Sequence, residues 1–84
     1  MQDALRQDID DLENEILQIE ENIVEFSRMK YEEGIKISLR KLESDLKYLS
    51  ILANGIPIEK DEDRKIMDFL RTHYNKLQKL SVPA

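Results

Sequence analysis

Residues 5–26, LRQDIDDLENEILQIEENIVEF, decide the fold. Leu5, Ile9, Leu12, Ile16, Ile19, Ile23 and Phe26 follow one another at spacings of 4, 3, 4, 3, 4 and 3. A helix returns to the same face every three or four residues, so these side chains form one apolar seam with a heptad repeat. Ile9, Ile16 and Ile23 occupy its a positions; Leu5, Leu12, Ile19 and Phe26 its d positions. A second apolar line, Leu17, Val24 and Tyr31, runs along b. A helix with a single neighbour has no use for it, so the pattern predicts contact with two neighbours, as in a bundle.

The charges beside the seam restrict its pairing. Asp8, Glu15 and Asn22 lie at g, Glu13 and Glu20 at e. In a parallel homodimer Asp8 would face Glu13, and Glu15 would face Glu20, which is unfavourable. The first helix therefore calls for a basic partner helix or an antiparallel arrangement.

Beyond Phe26 the seam loses phase, since its continuation would place Lys30 and Glu33 in the core. Gly34 suits the left-handed position that closes a helix. Ser38 can then cap the next one, with Ile37 and Leu42 as a hydrophobic staple. The alternative is one long helix with a stutter through Val24, Tyr31, Ile35, Leu39 and Leu42. Ile35, Leu39, Leu42, Leu46, Leu49 and Ala53 repeat the heptad spacing, and Leu52 widens that face. Arg40, Lys41 and Lys47 lie outside it, within reach of the acids of the first helix. Asn54-Gly55 and then Pro57 stop the segment, and Ile56 and Ile58 would anchor the loop. Asp61, Glu62 and Asp63 suit a helix N-terminus, with Asp61 as N-cap. Ile66, Leu70, His73, Leu77 and Leu80 form the third seam, with Met67, Phe69 and Tyr74 beside it and a tail from Ser81.

The expected class is all-α: an antiparallel helical hairpin or three-helix arrangement with coiled-coil packing and a long first helix. One domain spans residues 1–84, with helices over about 3–33, 38–53 and 61–80. At 84 residues, 40% of them hydrophobic, the chain has a modest core and no room for a dinucleotide-binding fold.

Composition narrows function by exclusion. The net charge is −5, and there is no cysteine. Disulfides, thiolate nucleophiles and Cys-ligated zinc are ruled out. Residues 1–33 carry 11 acidic and 3 basic side chains, and residues 34–84 carry 7 acidic and 10 basic ones. The two parts are complementary and should pack on each other. Direct nucleic-acid binding is not expected of an acidic chain. Its one basic surface would be Arg64, Lys65, Arg71, Lys76 and Lys79, which serve more simply to neutralise the first helix. No run is long enough to span a membrane, and the polar start, Met1-Gln2-Asp3-Ala4, is unlike a secretory signal; the expected compartment is the cytoplasm.

Catalytic parts are scarce. His73, the single histidine, sits on a seam and reads as a packed, hydrogen-bonded side chain. The serines lack a nucleophile elbow. Asp61-Glu62-Asp63 lacks the glycine and distal glutamate of a calcium loop. Asp10, Asp11, Glu13, Glu20 and Glu21 read as an acidic outer face. No catalytic residue, metal site, cofactor or small-molecule substrate is expected.

Leu5-Arg6-Gln7-Asp8-Ile9-Asp10 resembles the opening of the all-helical chorismate mutases. Gly55-Ile56-Pro57-Ile58, followed by Asp61 and Arg64, resembles their loop and second helix. The resemblance covers about a quarter of the chain and implies an enzyme that holds a dianionic substrate with Arg6, Arg40 and Arg64. The chain departs from the family pattern at Ile23 and Ile51, where basic residues are expected, and at Lys65, where a glutamate is.

The reading that the residues favour is a non-enzymatic protein–protein interaction module assembled through heptad packing. Its partner would be itself, as a homodimer or higher oligomer, or another helical protein. The residues expected to carry the contact, where they are not used in the chain's own core, are Ile9, Leu12, Glu13, Ile16, Ile19, Glu20, Ile23 and Phe26. The unequal helices leave part of the seam bare in a monomer, and a core this small gains from association. A second reading is an acidic regulator whose first helix covers a basic surface of a nucleic-acid-handling protein.

Overall fold

The computed structural model describes residues 2–55 and 60–81, and side chains over 4–55 and 60–80. Three helices follow one another: α1 (Gln2–Arg28), α2 (Glu32–Gly55) and α3 (Lys60–Ser81). The fold is all-α, with the first helix the longest at 27 residues. α2 packs against both α1 and α3.

α1 buries the seam read from its sequence. Ile9, Leu12, Ile16, Ile19 and Ile23 are all buried, and Leu5 packs partly against them. They meet Leu42, Leu46 and Leu49 of α2 and Ile66, Leu70 and Leu77 of α3 in one cluster. Ile16, Ile23, Leu42, Leu46 and Leu49 lose essentially all contact with solvent. Each such side chain contributes about 1.5–3 kcal/mol relative to an exposed one. The seam is therefore covered by its own chain, not left bare for a partner.

The chain reverses earlier than the glycine suggests. α1 ends at Arg28, and α2 begins at Glu32. Gly34 lies inside the first turn of α2, and the left-handed residue is Lys30, with φ of 58°. The Tyr31 amide donates to the Phe26 carbonyl at 2.8 Å, and the Lys30 amide to the Ser27 carbonyl at 3.1 Å. This pair of bonds is the Schellman closure, which satisfies carbonyls left open at a helix end. Its usual hydrophobic contact is present: the Phe26 and Tyr31 rings meet edge to face at 5.5 Å and 77°. The Tyr31 carbonyl then accepts the first helical bond of α2, from Ile35 at 3.2 Å.

Gly34 has a different task from the one its type suggests. A Cβ there would fall 2.7 Å from the Tyr31 ring and 2.8 Å from the Phe26 ring. The missing side chain is what lets the two aromatics close over the start of α2. Ser38 is consequently interior to α2 and buried, not an N-cap, and Ile37 is exposed, so there is no staple. The stutter alternative fails for the same reason: the chain turns back at Lys30.

α3 starts at Lys60, one residue before Asp61, so Asp61, Glu62 and Asp63 fill its first turn, not its N-cap. All three acids face the positive end of the helix dipole. Ile56, Pro57 and Ile58 and the tail after Ser81 lie outside the described residues.

Two substitutions separate these roles. Gly34→Ala should destabilise by about 1–2 kcal/mol, because ring displacement outweighs the helix propensity that alanine gains. Lys30→Gly should stabilise by about 0.5–1 kcal/mol by relieving the left-handed strain. Urea unfolding measures both; a stabilising Gly34→Ala would contradict the ring-closure account.

Candidate functional site

The α1–α3 contact is the unusual part of the molecule. Among the described residues no Cα of α1 lies within 8 Å of a Cα of α3. The two helices run parallel: Arg6 pairs with Glu62 near their N-termini, and Glu20 meets His73 and Lys76 further along. Longer side chains fill the space between them. The His73 Nδ1 lies 2.6 Å from Glu20 Oε2. With its proton on Nδ1, the ring donates to the carboxylate in either charge state. Lys76 Nζ approaches the other oxygen, Oε1, at 3.6 Å. The Phe69 ring lies against the imidazole, centroids 4.1 Å apart and planes tilted by 35°.

Both partners of this contact are withdrawn from water, with side chains 7% exposed at His73 and 13% at Glu20. Burying either alone would be costly; their mutual hydrogen bond and Lys76 offset the desolvation. Glu13, two turns earlier on α1, also feels the interior. Burial raises its pKa, Asp10 adds to the rise, and His73 opposes it.

The acidic outer face expected of α1 is thus divided. Asp10, Asp11 and Glu21 are exposed, as read from the sequence, while Glu20 turns inward and Glu13 is half-buried. The reason is the wide gap to α3. It extends the buried stripe of α1 past the a and d positions to e, where long carboxylates reach His73.

This bridge separates two hollows along the groove. One, of about 200 Å³, is lined by Ile9, Asp10, Glu13, Glu62, Lys65 and Ile66. The other, of about 300 Å³, lies between Glu20, Ile23 and Val24 on α1 and Lys76, Lys79 and Leu80 on α3. The rim of the second hollow is apolar: Val24 is 57% exposed and Leu80 43%, and Leu17, two turns before Val24 on α1, is also 43% exposed. The b-position line was expected to pack on a second neighbour. The second neighbour is present, but Leu17, Val24 and Tyr31 stay about half exposed. α3 is held too far away to cover them.

The other predicted residues are core or structural. Ile9, Leu12, Ile16, Ile19 and Ile23 lie inside, and Phe26 serves the chain reversal. Of the cations expected to meet α1, Lys41 does so, at 2.9 Å from Glu15. Lys47 pairs with Glu43 of its own helix, and Arg40 borders a surface hollow with Glu43, Ser44 and Lys47. The arginines of the mutase-like reading do not gather: Arg6 holds Glu62, Arg40 stands on the outside of α2, and Arg64 is exposed on α3. Among the described residues no three His, Asp or Glu side chains are grouped to hold a metal ion, and no helix is long and apolar enough to cross a membrane. No known protein family, characterised protein or solved structure matches the chain.

A second ionisable cluster, at the α1–α2 contact, escaped the sequence reading. Asp45 of α2 has a buried Oδ2 without a hydrogen-bond partner. Burial, and then the neighbouring Glu15 carboxylate, push its pKa up to about 6. Glu15 is lowered, chiefly by its hydrogen bond with Lys41. Near pH 5 the trio holds one carboxylate, one protonated acid and one ammonium. The Asp45 contribution to stability is complete below its ordinary value of 3.8 and is lost as pH rises through about 6. The Glu15 contribution is present above its ordinary 4.5 and is lost as pH falls.

Asp45→Asn should raise stability at pH 7.5 by about 1 kcal/mol after allowance for screening, and by about half as much at pH 5, midway between the ordinary and the raised value; thermal melts at the two pH values report the difference. Glu20→Leu or His73→Leu alone should each cost about 1–3 kcal/mol by stranding a buried polar partner. The double substitution should cost clearly less than their sum, as a double-mutant cycle in urea would show; strictly additive losses would mean that the two side chains do not stabilise each other.

Proposed function

We propose that this chain is a protein–protein interaction module that works by helix docking, and that its working surface is the open side of the α1–α3 groove. The observation that carries the reading is the exposed apolar set Leu17, Val24 and Leu80 beside that groove. Single exposed apolar residues are ordinary; several at helical spacing beside a hollow form a surface that another helix can cover. Ile23 supplies an apolar floor, and Glu20, Lys76 and Lys79 supply charge at the edge. An apolar stripe with charged margins gives affinity through burial and orientation through charge. The partner is a second copy or another helical protein, so the chain acts as a homo-oligomer or as a subunit of a complex.

The acidic-regulator reading has less behind it. Glu20 is committed to His73 and Lys76 within the chain and Glu13 is half-buried, while Asp8, Asp10, Asp11, Glu21 and Glu25 remain outward on α1. A basic partner would find a thinner acidic strip than the sequence advertises.

The docking reading can be tested in the cell that makes the protein. A photo-crosslinking amino acid at position 24 should give a discrete heavier adduct, and the same probe at Ser44, on the outside of α2, should not. Leu80→Asp should abolish the adduct without loss of helix content by circular dichroism. Equal labelling from both positions, or none from position 24, would reject the groove as the working surface.

A further inference from the structure

We propose that the partner seated on this groove is a second copy of the chain, related by a two-fold axis across the α1–α3 face. The inference rests on the docking reading above and names its occupant. Its first support is charge. The α1 side presents the exposed acids Asp10 and Glu21, and the α3 side presents the exposed bases Lys65, Lys76 and Lys79. A two-fold contact requires a patch that complements itself. An acidic wall beside a basic wall meets that requirement, because each copy sets its acids against the other's bases.

The second support is direction. α1 and α3 are parallel, as the Arg6–Glu62 and Glu20–Lys76 pairs show. A two-fold axis running along the groove, parallel to both helices, therefore lays α1 of one copy beside α3 of the other in the same direction. That pairing avoids the repulsion which forbids a parallel α1–α1 contact between Asp8 and Glu13 or Glu15 and Glu20. Such an axis keeps each residue at its own level, so Val24 of one copy reaches Leu80 of the other. Glu21 then faces the Lys76–Lys79 stretch. The four helices so assembled form a bundle around Leu17, Val24 and Leu80, which a single copy leaves uncovered.

The third support is size. The molecule is 42 Å long and 21 Å across, large enough for a face of the ~800 Å² per partner that stable interfaces bury.

The experiment uses the purified chain and two charge reversals at exposed positions, Glu21→Lys and Lys79→Glu. Sedimentation equilibrium of the unaltered protein should show a dimer. Each reversal alone places like charges opposite each other twice, and should weaken dimerisation at least tenfold. Mixing the two variants should restore it as a heterodimer, since both contacts then join opposite charges; a tag on one variant lets the pair be isolated. Circular dichroism checks that each variant remains folded. A chain that stays monomeric to millimolar concentration would overturn the second-copy proposal. The docking reading would survive that result if position 24 still crosslinks to another polypeptide. A dimer indifferent to both reversals and to Leu17→Asp would overturn the placement on this face.

Discussion

The position of the chain reversal sets everything that follows it. Phe26 closes its ring over Tyr31, and the bare Cα of Gly34 leaves room for both. That contact fixes the end of α1 at Arg28 and places Lys30 in the left-handed region. The strain at Lys30 is about 1–2 kcal/mol, small beside the burial that a defined register on α2 secures. With the turn at 29–31, Leu42, Leu46 and Leu49 of α2 share one core with Ile9 to Ile23 of α1. A turn at Gly34 would rotate α2 relative to α1 and take those leucines out of phase.

From that register the asymmetry of the bundle follows. α2 is the common neighbour, and α1 and α3 each give it their best apolar stripe. What remains between α1 and α3 is a strip of mixed chemistry: carboxylates on one side, a histidine and lysines on the other. Such a strip cannot close to the spacing of a leucine core without burying unpaired charge. It closes where a carboxylate finds a partner, at Glu20 with His73 and Lys76 and at Glu62 with Arg6, and stays open between and beyond these contacts. The hollows near Glu13 and near Val24 are therefore consequences of the residue types at the contact.

The seams of all three helices were legible because burial at a 3.6-residue period is the strongest signal that a short sequence carries. Four of the five residues of the third seam, Ile66, Leu70, His73 and Leu77, are buried as the spacing implies, and Leu80 is not. The reversal was misplaced because a glycine is the expected left-handed residue, whereas here an aromatic pair decided the matter and a lysine bore the strain. The burial of Glu20 was hidden for a different reason. A glutamate on a helix flank reads as solvated unless its partner is known, and His73 is 53 residues away. Asp45 was hidden likewise, since its environment depends on how α2 sits against Glu15. Charge at a helix flank is legible as charge; whether it faces water is a property of the packing.

The uneven distribution of charge along the chain is only partly used up by folding. Lys41 with Glu15 and Lys76 with Glu20 join the acidic first third to the basic remainder. Asp10, Asp11 and Glu21 remain outward on α1, with Lys65 and Lys79 outward on α3. Among the described residues, Asp10 and Glu21 make no ion pair with Lys65 or Lys79 across the groove, although Arg6 with Glu62 and Lys76 with Glu20 do bridge it. Exposed pairs contribute little to the stability of a monomer in any case. Beside an uncovered apolar line the same charges do something different: they discriminate among orientations of whatever covers it, admitting opposite charge and refusing like. The surface that contributes least to holding the chain together is thus the one with the most defined pattern for holding it to something else.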